Sequence, residues 1–447
     1  MGNIFFELTL ILCLVAFLSI VFKILKQPII LAYILTGIII GPFGQLQLGS
    51  NQFLQAMGQF GITLLLFMLG LEMRLKELQS IGRTAIVVGI GQLLSTLFLS
   101  FTLSSALNFS AIESFYIAAA LTFSSTIIVV KILADKKDLK SLYGRISIGL
   151  LLIQDFFAVL ILVLLSGSKL QSASSNFIPI GLALLKAAIL FLSVIYLSKY
   201  IFPKFIDKIA KSEESLFLFS LAWVFGLSAI VSSKQIGFSV EIGGFLAGIA
   251  LANASENFQI IARMKALRDF FITIFFVYLG MKMMFNNFFS VLLLSVIFSL
   301  FVIIIKPLTV MALMGFLGYR KRTSFLTGIG LAQISEFSLI IIFLGNSLGH
   351  ISDNIVSIVA SVLIITFIAS SYLIIHANSL FKILGKYFFI FEKKQSKKEN
   401  LSSSVDLNST ERHVVLIGAH RMGESILDAL EDIGDKVIVV DFDPDIV

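Results

Sequence analysis

The sequence predicts an all-α polytopic membrane protein. It reads as thirteen transmembrane helices in two inverted six-helix repeats, with two broken crossing helices (spans 5 and 12), followed by the start of a Rossmann-like α/β domain. Three observations predict it: the composition, the alternation of charge between apolar runs, and a match of the chain to itself at one offset. Of 447 residues, 57% are hydrophobic, and the mean hydropathy is +0.99. No soluble core absorbs that much apolar surface, so a soluble enzyme is excluded for most of the chain. The single cysteine, Cys13, lies in an apolar run, which excludes a disulfide framework and a cysteine-based metal centre. The opening residues lack a basic stretch and a small-residue cleavage site, so they read as a retained first span.

Apolar segments near the ~20 residues needed to cross a bilayer fall at 4–25, 29–48, 53–72, 84–107, 112–133, 145–165, 178–200, 215–233, 238–256, 268–285, 288–316, 323–346 and 352–377. The odd-numbered connections and their flanks carry 20 Lys and Arg, against three (Lys169, Lys234, Lys282) for the even ones. By the positive-inside rule the N-terminus faces out and the C-terminus faces the cytoplasm, in a bacterial cytoplasmic (inner) membrane. The net charge of +7 is therefore topology, with lipid as the partner and no nucleic acid.

Sliding the chain by 210 positions lays Phe60 to Met73 over Phe270 to Met283 and Leu121 to Val130 over Leu331 to Ile340. To within one residue, the same shift lays Gly37 and Gly41 over Gly248 and Ala252. Spans 1–6 thus match spans 8–13, with span 7 as connector, and the odd count inverts the second half. Inverted repeats point to a transporter whose site lies at mid-membrane, where broken helices meet. The polar clusters place those breaks: Thr122, Ser124, Ser125 and Thr126 in span 5, and Gln333, Ser335 and Glu336 in span 12. Hydroxyls in such places also serve helix packing.

Ionisable residues inside a membrane are costly and point to function. Asp155 sits in mid-span 6 beside Gln154, with no basic neighbour along its helix; Lys306, deep in span 11, is the best counter-charge, and Glu336 is the third. A structural ion pair is the plain alternative for Lys306 and Glu336. Glu72, Glu113 and Arg145 lie near span ends and read as interfacial; Lys186 and Glu241 read as snorkelling. One carboxylate with hydroxyl, amide and carbonyl oxygens around it suits a hard monovalent cation or, alternatively, a proton. A site that holds one or the other, never both, is an exchanger, and one acid implies one proton per cation.

The motifs GRISIGLLLIQDFFAV (Gly144 to Val159), GLEM (Gly70 to Met73), GGFLAG (Gly243 to Gly248), FFVYLGM (Phe275 to Met281) and QISEFSLI (Gln333 to Ile340) together resemble the monovalent cation:proton antiporter-2 family. The Gln-Asp pair and the Ser-Glu-Phe motif resemble its Kef-type potassium efflux branch. The resemblance implies thirteen spans, a homodimer and an elevator-like movement of a core domain. It also implies that Asp155 is the ion- and proton-binding acid, with Gln154, Ser124, Ser125, Thr126 and Lys306 around it. Members with two adjacent aspartates are usually sodium exchangers, so Gln154 favours potassium, with sodium:proton exchange as the alternative. Glutathione-gated members carry an acidic stretch before FFVYLGM; here Arg263 and Lys265 stand there, which argues against that gating.

Residues 1–380 are thus expected to form the transporter domain and 381–410 an amphipathic segment and flexible linker. Residues 411–447 resemble the first part of the family's Ktn/Rck domain. Gly418 and Gly423 follow a strand pattern, and Asp441 ends the next one. An acid about twenty residues past the glycines suits the ribose of NAD(H) or an adenosine nucleotide, although His420 occupies the second glycine position and the fragment is read as incomplete. A cation channel regulated by such a domain would need a TVGYG-like filter, and a nicotinamide enzyme a full dinucleotide domain with a catalytic His; only His413 and His420 are near.

Overall fold

The computed structural model describes residues 4–41, 51–72, 83–139, 141–167, 189–194, 196–202, 206, 212–233, 236–254, 256–283, 288–388, 414–417, 426–427, 430 and 437–440. The helices run in order: α1 (Ile4–Ile24), α2 (Ile29–Ile40), α3 (Asn51–Glu72), α4 (Arg83–Ala106), α5 (Ala111–Thr122), α6 (Thr126–Asp135) and α7 (Leu142–Gly167). They continue as α8 (Glu213–Val231), α9 (Val240–Leu251), α10 (Asn257–Met281), α11 (Phe288–Leu300), α12 (Lys306–Phe316), α13 (Lys321–Gly330), α14 (Glu336–Ser347), α15 (Asp353–Ile375) and α16 (Ala377–Leu384). One wide π-type turn, Phe301–Ile305, joins α11 to α12 without a break. Among the described residues, eight helical stretches are long and apolar enough to cross a membrane.

The surface is that of a protein in lipid. Large apolar side chains stand outward, including Phe17 (63% exposed), Phe98 (66%) and Phe289 (85%), while Gln92, Gln154, Lys306 and Gln333 are fully buried. A water-soluble fold inverts this arrangement.

Two packing units emerge. In one, α2, α3, α9 and α10 meet along glycines. A methyl group on Gly37 would lie 2.9 Å from the Cα of Gly280, and one on Gly70 2.9 Å from the Cα of Gly248. Only residues without a side chain let these backbones touch. In the other, α4, α7, α11–α12 and α15 surround two interrupted helices, α5–α6 and α13–α14. The first interruption is the extended stretch from Phe123 to Ser125; the second runs from Leu331 to Ser335. Both fall in the polar clusters noted in the sequence. Just past α6, Lys136 reaches the carbonyl of Ile374 (2.5 Å), and its burial lowers the ammonium pKa, partly offset by Asp138.

The amphipathic segment begins earlier than the sequence implies. Its helix is α16, Ala377–Leu384, and Phe381 and Phe388 pack on Phe325 with ring centroids 5.5 Å apart in each case. Beyond it, Val414–Ile417 and Val437–Val440 pair as parallel strands β1 and β2, Val414 opposite Val437. Gly418, Gly423 and Asp441 lie outside the described residues, as do Lys169, Lys186, Lys234, His413 and His420.

Candidate ion and proton site

A helix broken inside a membrane frees backbone groups that no water is at hand to satisfy. Here several of them have side-chain partners. At the end of α5, Thr122 C=O accepts from Gln92 Nε2 (3.3 Å), and Leu121 and Phe123 C=O accept from Lys306 Nζ (3.4 and 2.7 Å). Ser124 N–H donates to Gln154 Oε1 at 2.8 Å. In the second break, Gln333 C=O accepts from Lys306 Nζ (2.9 Å), Leu331 C=O from the Ser124 hydroxyl (3.2 Å), and Ile334 N–H donates to Thr366 Oγ1 (3.4 Å). Ser338 Oγ, in the first turn of α14, reaches back to Ala120 C=O (2.5 Å). The two breaks are therefore stitched to one another as well as to the surrounding helices.

The arrangement sorts charge by helix polarity. Carbonyl ends of the breaks collect around the Lys306 ammonium, where a cation is favoured. The amino-terminal ends of α6 and α14 carry serine caps: Ser125 Oγ accepts from Ile128 N–H (3.4 Å) and Ser335 Oγ from Phe337 N–H (3.2 Å). On that side stand the two acids. Asp155 is 7% exposed and takes the Thr126 hydroxyl on Oδ2 at 2.8 Å. Glu336, the first residue of α14, is 4% exposed. The other acids that act on Asp155 through space are Glu336 and Glu72, at the end of α3.

The residues named from the sequence thus converge, but not all in the expected roles. Thr126 touches Asp155 directly, whereas the Ser125 hydroxyl caps α6. Ser124 faces the second break rather than the acid. Lys306 is not paired with Asp155; its three partners are carbonyls. Gln154 has its amide engaged at both ends, receiving Ser124 N–H and donating to Gln92 Oε1 at 2.6 Å. Gln92 completes that link through Thr122 C=O and Thr96 Oγ1 (3.0 Å). The sequence reading missed Gln92 because it ranked ionisable residues. An amide in the middle of GIGQLLSTLF was the available signal. A cavity of about 90 Å³ lined by residues including Gln55, Tyr278, Lys282, Asn346 and Asp353 lies apart and holds none of these groups.

Chemically, Asp155 offers a carboxylate with one hydroxyl donor and, among the described residues, no lysine or arginine bound to it. Such a group can hold a proton or a small cation. Residues 10–375 match the family model described as sodium/hydrogen exchanger, transmembrane. The chain is 32% identical over 343 residues to K(+) efflux antiporter 5 of Arabidopsis thaliana, a match covering 75% of this chain and 60% of that one. It is 24% identical over 441 residues to the putative K(+) efflux antiporter KefB of Alkalimonas amylolytica, covering 98% and 66% respectively. Among solved structures, the sodium proton antiporter MjNhaP1 from Methanocaldococcus jannaschii at pH 8 has a similar fold. Its TM-score is 0.60 at 19% identity, over 86% of this chain and 97% of that one.

Proposed function

The chain belongs to the transmembrane sodium/hydrogen exchanger family, and from that premise we propose that it exchanges potassium for protons one for one through the carboxylate of Asp155. The observation that carries the reading is Asp155 itself. It is buried against the paired breaks and, among the described residues, is hydrogen-bonded by Thr126 and not by Lys306. A carboxylate bound to a lysine would carry its own cation; this one is left to take a proton or a potassium ion, so each turnover is electroneutral.

Potassium is favoured over sodium by the residue beside it. Gln154 is occupied with backbone and with Gln92, so position 154 supplies no second carboxylate. A single acid makes a weaker field, which suits the larger, more easily dehydrated ion. The names of the curated relatives point the same way, while the solved neighbour is a sodium antiporter. This chain spans 60% of the length of the first of those relatives.

In this reading the glycine-seamed unit stays fixed, joins a homodimer and faces lipid, while the unit around the breaks moves as an elevator, with thirteen spans, N-terminus out. The inverted repeat is supported by the seam. Gly37 meets Gly280, and the positions that the offset gives for them, Gly248 and Gly70, meet each other. The tail would regulate the transporter through NAD(H) or an adenosine nucleotide. Arg263 pairs with Glu213, so the segment before FFVYLGM offers no acidic latch for glutathione.

Purified protein in liposomes with an internal pH dye tests this directly. Potassium should dequench at lower concentration than sodium, rubidium or lithium, with no sustained charge movement on a solid-supported membrane. A lower half-saturating sodium concentration refutes the selectivity. A steady current refutes one-for-one exchange, and stimulation by a glutathione adduct refutes the absence of that gate.

A further inference from the structure

Two faces of α16 carry more than the helical bundle uses. The helix starts at Ala377, directly after α15, which is long and apolar enough to cross a membrane, so it lies at the end of a span. Ala377, Leu380 and Phe381 pack inward, and Phe381 meets Phe325 of α13. Ile383 and Tyr387, one helical turn apart, stand outward at 65% and 62% exposure. Asn378, Lys382 and Lys386 recur at the same spacing on a third side, and all three are exposed.

The start of α13 extends that basic side. Arg322 Nη2 donates to Asn378 Oδ1 at 3.1 Å, which brings Arg320, Lys321 and Arg322 alongside the lysine row. Residues 319–323 and 376–388 together hold five Lys and Arg and no Asp or Glu. The acid that shares surroundings with Arg322 is Asp138, and it accepts the Tyr143 hydroxyl. Lys386 lies over the Tyr387 ring, 5.0 Å from its centre, a contact that leaves its charge uncancelled.

An apolar strip beside a row of fixed cations, at the end of a membrane span, matches a ligand that carries both chains and negative charge. A soluble anion answers only the cations, and a neutral lipid answers only the strip. We propose that the corner between α13 and α16 binds an anionic phospholipid, with its phosphate on Arg322, Lys382 and Lys386 and its chains along Ile383 and Tyr387. The position has a consequence for transport. α13 leads into the second break at Leu331, and Lys136, just past α6, holds the Ile374 carbonyl beside α16. A lipid seated here rests against the ends of both interrupted helices.

The surface does not involve Asp155, and its test counts lipid rather than transport, so it stands or falls apart from the exchange reading. The full chain in neutral detergent is offered phosphatidylglycerol and phosphatidylcholine with identical chains, and the lipid retained is counted by native mass spectrometry. The parent should prefer phosphatidylglycerol, and Lys382→Gln/Lys386→Gln should weaken that preference ~10–30-fold. Lys382→Arg/Lys386→Arg should keep it, as should Lys23→Gln/Lys26→Gln, a basic pair at the turn between α1 and α2. An undiminished preference in the first variant overturns the proposal. So does an equal loss in the Lys23/Lys26 variant, which would mean diffuse charge rather than a site. Displacement of the lipid by inorganic phosphate, but not by chloride at matched ionic strength, would assign a soluble anion and overturn it too. Finally, a fluorophore on Ile383→Cys in a Cys13→Ser background should be quenched more by spin-labelled phosphatidylglycerol in vesicles than by spin-labelled phosphatidylcholine. Quenching by neither would give this face to the chain's own tail beyond Phe388, and the proposal fails.

Discussion

The two packing units achieve burial by opposite means. Along the α2–α10 and α3–α9 seams, backbone lies against backbone because glycine removes the side chains; around the breaks, side chains reach in to satisfy the backbone. The first design depends on volume and the second on matching donors to acceptors. A seam set by volume has one good geometry and is stiff. A network set by polar pairing can hold a proton or an ion, because its partners are interchangeable in kind. On the proposed reading, the difference puts the chemistry in one unit and the support in the other.

The sharpest way to break this contrast is Asp155→Asn. It should reduce exchange to the level of empty liposomes while the protein stays folded by size-exclusion and melting. Wild-type rates from such a protein would move the chemistry elsewhere. Next comes competition at the same group. Below the point where Asp155 takes up its proton, the potassium concentration for half-maximal rate should rise up to ~10-fold per pH unit, as one proton excludes one cation. A steeper dependence would mean that two protons compete.

Gly248→Leu sharpens the other side. Overpacking costs ~1–3 kcal/mol even where side chains can give way, and here the obstacle is backbone. Yield and melting temperature should fall together, and any folded fraction should keep its cation preference. A Gly248→Leu protein as stable as the parent would mean the seam is loose. Gln92→Leu should cost less, ~1–3 kcal/mol for the stranded Thr122 carbonyl. In a double-mutant cycle with Gln154→Leu the two should couple by ~0.5–3 kcal/mol, and strict additivity would deny the link. Smallest of all, Arg263→Ala removes an exposed ion pair with Glu213 and should change stability by less than ~1 kcal/mol.

Much of this was legible in the sequence, for one reason: a polar residue inside an apolar run is costly and stands out. Asp155, Lys306, Glu336 and the hydroxyl clusters declare their depth that way, and the interruptions at Phe123–Ser125 and Leu331–Ser335 fall where the clusters predict. Depth is not direction. Nothing in VIIIKPL tells whether the Lys306 ammonium meets a carboxylate or a ring of carbonyls, since either partner lies on another span. Gln154 misled for the same reason. Adjacency to Asp155 in sequence places the two side chains about 100° apart on a helix, so they face different neighbours. The pairing of Gly37 with Gly280 was hidden too, because a glycine does not announce the helix it will touch.

The link from Thr122 through Gln92 and Gln154 to Ser124 bears on a different kind of measurement. A residue in a helix break is ordinarily among the first to trade its amide hydrogen with solvent, because local fraying suffices. Ser124 N–H is gripped by a side chain from α7, itself gripped by one from α4. Its deuterium uptake should therefore lag until α4 and α7 part, so the slowest clock in this stretch of chain runs at its apparent weak point.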